Sequence, residues 1–278
     1  HFKLGDFEIA TKNANREWML ISLDDYFPTW LSNHDYKEEF FKELNEHFCN
    51  KLPLVAYRDP SLENSLTKAF LQRDDKVNFS TGFREEGFIF APFDESKPAI
   101  IIPADSSEYI ETEYNKPDEA FFYPDVEFSN ERAIAEKERH LDLVQKGIDE
   151  INRGTCRKIV LSRKEILETG EVDPVDIFQN LLNRYPNAFV YFWYHPEVGL
   201  WMGATPETLL QVERNRFKTM ALAGTQKFEG AMDVQWGEKE KEEQQIVADT
   251  IFENLQNFAG GMERSETYTT RAGNVLHL

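Results

Sequence analysis

From Ser129 to Phe258 the apolar residues switch repeatedly between helical and strand spacing, and this restricts the fold more than any other feature of the chain. Ser129 has helix N-cap chemistry and Glu131 places an acid in the first turn. Ile134, Leu141, Val144, Ile148 and Ile151 then form a stripe that a helix would bury, until Arg153-Gly154 ends it. Lys158–Arg163 is a β-branched run that reads as a strand. Asp173-Pro174 is an N-cap and N1 pair, predicting a helix with Ile177, Phe178, Leu181, Leu182 and Tyr185 inward. After the Pro186-Asn187 turn, strands are expected at Ala188–Tyr194, Leu200–Gly203, Leu209–Val212 and Phe217–Leu222. A last helix is expected over Glu240–Phe258. The expected fold class is α/β (α+β), built around one sizeable sheet.

The first half has a different texture. Residues 1–34 carry strand-like pieces at Phe7–Ala10 and Trp18–Leu23 and a polar break at Ser32-Asn33-His34, but stay unplaced as a domain. Tyr36–Phe48 reads as an amphipathic helix through Phe40, Phe41, Leu44 and Phe48. Between Leu52 and Phe128, short apolar runs (Leu54–Tyr57, Gly87–Phe90, Ala99–Ile102) alternate with Pro, Asp, Gly and Ser clusters, predicting strands and turns. With 41% apolar residues and 22 Phe, the chain can bury a core and is not disordered.

Thirty-one basic against 50 acidic residues give a net charge of −19, which disfavours binding to nucleic acid. A small anionic substrate remains compatible, because local basic groups act within ~10 Å. Cys49 and Cys156 form no disulfide framework or CxxC site, so a reducing, cytoplasmic setting is expected. No run approaches the ~20 apolar residues that span a bilayer, so no membrane association is expected. The N-terminal HFKLGDFE is no signal peptide, and His1 in place of Met points to a processed or incomplete N-terminus.

Several residues carry chemical interest. On a strand, Lys158, Val160 and Ser162 share one face. A lysine among apolar neighbours suits a general base, and a snorkelling lysine is the bland alternative. Glu207, in Gly203-Ala204-Thr205-Pro206-Glu207, suits a general acid if buried; the alternative is a helix start with Thr205 as N-cap. Ala223-Gly224-Thr225 closes a small-residue turn whose N–H groups could hold a carboxylate, or is simply a tight turn. Glu243 falls on the apolar stripe Glu243, Val247, Ile251, Leu255, Phe258. A carboxylate there needs a partner, and a hard cation would serve; the alternative is a solvated first turn. Gln244 reads as a supporting residue, and His277 alone reads as a packing histidine.

In order, the segments KIVLSR, NAFVYFWY, GATPETLL, ALAGT, KxxxEQQ and GNVLHL resemble the chorismate-utilising enzymes, and within them the isochorismate synthases most. The likeness covers about Glu136–Leu278 well and 52–128 in texture. It implies an anthranilate synthase-like, chorismate-binding fold over 35–278, with a large antiparallel-rich sheet flanked by helices. It further implies Lys158 as the base that activates water and Glu207 as the acid that protonates a departing hydroxyl. Ala223, Gly224, Thr225 and His277 would contact substrate, and Glu243 would bind Mg²⁺. Relatives that use ammonia usually carry glutamine at position 158, and aminodeoxychorismate-forming relatives carry lysine at 223. Lysine at 158 and alanine at 223 therefore favour water as nucleophile.

The implied activity is an isomerase converting chorismate to isochorismate, for menaquinone or siderophore synthesis. A salicylate synthase, another chorismate-utilising enzyme and a non-catalytic fragment are the alternatives. A monomer or weak homo-oligomer is expected. Relatives of this kind continue beyond the position of Leu278 with a second metal carboxylate and further substrate contacts. A chain ending there is expected to be C-terminally incomplete and a poor catalyst.

Overall fold

The structure, a computed structural model, describes residues 8–12, 18–22, 33–60, 66–94, 96–114, 126–127, 130–166, 168–169, 171–257, 260–272 and 275–278. Helices are α1 (Asn33–Cys49), α2 (Asn130–Asn152), α3 (Pro174–Arg184) and α4 (Glu238–Leu255). Strands in the first part of the chain are β1 (Glu8–Lys12), β2 (Trp18–Ser22), β3 (Leu54–Arg58), β4 (Leu66–Gln72), β5 (Asn78–Phe79), β6 (Gly87–Phe90), β7 (Ile100–Pro103), β8 (Ser107–Glu113) and β9 (Val126–Glu127). Those that follow are β10 (Glu168–Thr169), β11 (Phe189–His195), β12 (Gly199–Thr205), β13 (Gln211–Glu213), β14 (Arg216–Lys218), β15 (Thr225–Lys227), β16 (Thr270–Ala272) and β17 (Val275–His277). The largest sheet has five strands in the order β12-β11-β3-β4-β8. The mixed α/β fold with a large antiparallel-rich sheet is the one the sequence predicts. The chain divides into two compact units, one of residues 1–56, 64–115 and 194–199, the other of 57–63, 116–193 and 200–278.

In the first unit, β4 and β8 pair antiparallel from Leu66↔Glu113 to Gln72↔Ser107. Alternation along β4 buries Thr67, Ala69 and Leu71, as a strand with one face on a core requires. Helix α1 buries Phe40, Phe41 and Leu44, three of the four residues its spacing selects, and leaves the fourth, Phe48, half-buried. Phe41 meets Tyr114 edge-to-face at 5.6 Å between ring centres. Gln72 is fully buried and donates to the Asp74 and Lys76 carbonyls at 2.9 and 2.8 Å, which fixes the turn after β4.

The second unit holds the clearest agreement between local sequence and structure. Asp173 caps α3 by accepting the Val175 N–H at 2.8 Å, and Pro174 fills the first helical position. Val175, Phe178 and Leu182 are buried, and Phe178 packs on Phe192 of β11 at 5.8 Å. Burial of Phe178 and Leu182 contributes about 2 kcal/mol each. The other end of α3 is closed by Arg58, 4% exposed, which donates to the Leu182 and Tyr185 carbonyls at 3.0 and 2.6 Å. The Leu182 carbonyl is one of the last-turn acceptors that the helix leaves open, and the guanidinium serves it; the Tyr185 carbonyl, which also accepts the Ala188 N–H at 3.1 Å, gains a second donor.

Two expectations are overturned in this unit. Lys158–Arg163 is irregular, not a strand. A strand requires a ladder partner, and among the described residues none pairs with this segment; Val160 is 82% exposed. The stripe of α2 is also uncovered, with Leu141, Ile148 and Ile151 exposed and Val144 half-buried. Amphipathic spacing shapes a face, but burial needs a second surface. Among the described side-chain positions of α2 the buried one is Gly147, where an added Cβ would lie 3.4 Å from Leu161 Cδ1. The expected start of α2 at Ser129 lies outside the described residues.

Candidate active site

The candidate residues of the second unit other than Glu207 gather around one stretch of α4. Gly237 opens this helix without a side-chain cap, while Glu238 and Glu240 favour its positive end. The face turned inward carries Gln244 and Ala248, not Glu243 as the stripe predicts. Glu243 is 35% exposed at its side chain and pairs with Lys158, 21% exposed, at 3.3 Å between Oε1 and Nζ. A half-sheltered carboxylate thus has the cationic partner that its position demands.

The turn at Ala223-Gly224-Thr225 is clamped from two sides. On one side β15 pairs with β17, setting Thr225 opposite His277, and the Ala223 N–H donates to the Leu278 carbonyl at 3.1 Å. His277 Nδ1 lies 3.2 Å from Thr225 Oγ1 and 3.3 Å from the Gly224 carbonyl. One ring nitrogen serves one of these at a time: protonated it donates to the carbonyl, bare it accepts from the hydroxyl. On the other side, Gly224 has φ +77° and abuts α4, where a Cβ would stand 3.2 Å from Glu240 Cβ. Both the left-handed backbone and the close approach call for glycine. Gln244 adds a donation to the Ala221 carbonyl at 3.4 Å. Glu240, Glu243 and Gln244 therefore tie one stretch of α4 to Gly224, Lys158 and Ala221. A threonine hydroxyl and small-residue backbone of this kind can receive a carboxylate.

Glu207 stands apart from this cluster. No helix follows β12, so Thr205 is no N-cap; it nevertheless accepts the Glu207 N–H at 3.2 Å. The run continues beside Met220 and Thr219: Thr208 N–H reaches Met220 Sδ at 3.4 Å, and Thr219 donates to the Leu209 carbonyl at 2.7 Å. Residues 219–220 lead directly into the clamped turn. Glu207 is exposed rather than buried, because residues 206–210 all lie open. Among the described residues, no hydrogen bond or ion pair joins Glu207 to Lys158 or Glu243.

Among the described residues no three His, Cys, Asp or Glu side chains converge as a metal cage. Glu243 is a single carboxylate and is paired with Lys158; a hard divalent ion there would need substrate oxygens and water for its remaining donors. Among the described residues, open concavities of about 780 and 660 Å³ lie in the first unit; Asn78 and Phe79 line both, and no candidate residue lines either. Among the described residues no helix is long and apolar enough to cross a membrane. Sequence reasoning missed Arg58, since one arginine in a strand carries no local signal.

Comparison with known proteins gives the following likenesses. A family model described as chorismate binding enzyme matches residues 99–278. Anthranilate synthase component 1 of Archaeoglobus fulgidus is 29% identical over 103 residues, 37% of this chain and 24% of that protein. Salicylate biosynthesis isochorismate synthase of Pseudomonas aeruginosa is 24% identical over 128 residues, 43% of this chain and 27% of that one. The chain thus spans about a quarter of the length of these curated relatives. The solved structure of the menaquinone-specific isochorismate synthase of Escherichia coli aligns with a TM-score of 0.56 at 12% identity, covering 98% of this chain and 68% of that one. That likeness is one of fold.

Proposed function

The chain belongs to the chorismate binding enzymes, and we propose that within this family it serves as an isochorismate synthase. The observation that carries this reading is the lysine at 158, held beside the Glu243 carboxylate, together with alanine at 223. The resemblance set out above associates lysine at the first position with water as nucleophile, and lysine at the second with the aminodeoxychorismate-forming relatives. Here the first lysine is present and the second is not.

In this reading Lys158 acts as the base, taking a proton from water as the water oxygen adds to a ring carbon of chorismate. The hydroxyl on another ring carbon departs with a proton from Glu207. One water enters and one leaves, so the product is an isomer of the substrate. Such proton transfers typically supply 10²–10⁴-fold each, so ~10⁴-fold or more rests on the pair. Thr225, the backbone at Gly224 and His277 hold a substrate carboxylate, which orients the ring for attack. Glu243 would hold Mg²⁺, whose chemistry there is neutralisation of substrate carboxylate charge.

The test is product analysis. The purified protein is incubated with chorismate and Mg²⁺, with and without ammonium, and the mixture is separated by chromatography. Isochorismate is the expected product. Salicylate with pyruvate would make the protein a salicylate synthase, anthranilate would place it with the ammonia-using relatives, and unchanged chorismate would overturn the catalytic reading.

A further inference from the structure

Glu207 hangs from the end of β12, an outermost strand of the five-stranded sheet. An edge strand is held by a ladder on one side only, and a glycine within it adds freedom. Such a glycine stands at Gly203, two residues before the Thr205 that accepts the Glu207 N–H. Its backbone lies outside the left-handed region, so conformation does not demand glycine there. Tyr191 of the neighbouring β11 does. A Cβ at 203 would lie 2.8 Å from Tyr191 Cε1, 3.0 Å from its hydroxyl oxygen and 3.1 Å from Cζ. The tyrosine ring thus occupies the space a side chain at 203 would need. A tyrosine phenol is neutral at pH 7, and burial pushes that of Tyr191 further above its ordinary range, so the ring sits on the strand without a charge to solvate.

An aromatic ring laid over a cross-strand glycine is a recognised way of holding an edge. The ordinary consequence is sheet stability. This one also fixes the last residues of the strand that delivers Glu207, on the same face as Thr205. We propose that Tyr191 is a positioning residue for Glu207: seated on Gly203, it fixes the end of β12 and so the point from which the carboxylate leaves the sheet. The inference rests on the assignment of Glu207 as the acid.

The experiment compares the protein with Glu207→Gln, Tyr191→Phe, Tyr191→Leu, Gly203→Ala and the double variant Tyr191→Leu/Gly203→Ala. Each is assayed for chorismate turnover well below its melting transition. Glu207→Gln is expected to lose at least ~10²-fold in kcat. Tyr191→Leu is expected to lose about 10-fold or more in kcat with little change in KM, since misplacement of a reacting group costs that much without weakening binding. Tyr191→Phe keeps the ring and is expected to stay close to the parent. Gly203→Ala displaces the ring and is expected to lower kcat as Tyr191→Leu does. The double variant is expected to be no worse than the poorer single, because both act on one contact.

If Tyr191→Leu keeps the parent kcat while Glu207→Gln is inactive, or if the two single losses multiply, the positioning role is overturned and the acid assignment stands. If Glu207→Gln retains full turnover, or if the parent protein turns over no chorismate, the acid assignment falls and the role of Tyr191 falls with it. Should Tyr191→Leu fail to fold, Gly203→Ala decides alone: reduced kcat at constant KM supports the role, and unchanged kcat overturns it.

Discussion

Lys158 Nζ and Glu243 Oε1 lie 3.3 Å apart, joining an irregular segment to helix α4. As both side chains are partly exposed, this pair adds about 1 kcal/mol or less to stability. Its value lies in placement, because it holds a lysine against the same stretch of α4 on which Gly224 and Ala221 pack. Replacing Lys158 with alanine should therefore cut turnover by ~10²–10⁴. The melting temperature should hardly move. Isochorismate formation by Lys158→Ala at the parent rate would remove Lys158 from the role of base.

Glu243→Gln separates charge from shape. The amide keeps the size and can still meet Lys158, but gives up the negative charge that a hard cation requires. The Mg²⁺ concentration giving half-maximal turnover should rise strongly, ~10-fold or more, since one of very few protein donors is lost. A titration with an unchanged midpoint would show that Mg²⁺ does not use Glu243.

The same helix shows where sequence reading succeeds and where it stops. Asp173-Pro174 announces α3 because capping is local chemistry, settled within a few residues. The rotation of α4 is not local. Its first turns are charged or amide residues all round, so stripe counting places Glu243 inward through Val247 and Ile251. Contact with the backbone at Gly224 and the carbonyl of Ala221 instead turns Gln244 and Ala248 inward. That neighbouring turn lies far away in sequence. Lys158–Arg163 fails for a related reason, since β-branched residues favour extended chain but cannot supply a strand to pair with. The order of motifs from Lys158 to His277 is legible, and the sheet contact between Tyr191 and Gly203 is not, as it depends on which strand becomes the neighbour.

Arg58 offers a test of stability independent of chemistry. It is buried and supplies two charge-assisted hydrogen bonds to the C-terminal carbonyls of α3. Arg58→Met preserves much of the stem but leaves the Leu182 and Tyr185 carbonyls without this donor. Loss of two such bonds should cost about 2–4 kcal/mol. Urea unfolding should show a lower midpoint with an unchanged slope. A midpoint equal to that of the parent would mean water replaces the guanidinium at no cost.

His47 sets the acid side of stability in the first unit. Its Nε2–H donates to the Pro53 carbonyl at 3.1 Å, closing the end of α1 onto the chain that enters β3. Burial is the largest influence on the ring and pushes its pKa below the ordinary 6.5, against smaller opposing effects of hydrogen bonds to Pro53 and Gln72 and of the Glu108 charge. The unfolded chain therefore takes up a proton at a pH where the folded one does not. The stabilising contribution is complete above about 6.5 and declines as pH falls from there through the folded value, with a slope of at most ~1.4 kcal/mol per pH unit. Melting temperatures measured from pH 7.5 down to 5 should fall for the parent. They should fall less for His47→Gln, whose amide retains a donor for Pro53 but does not titrate. Because every other histidine is common to both proteins, the difference between the two curves isolates His47, and identical curves would show that its protonation is not coupled to folding.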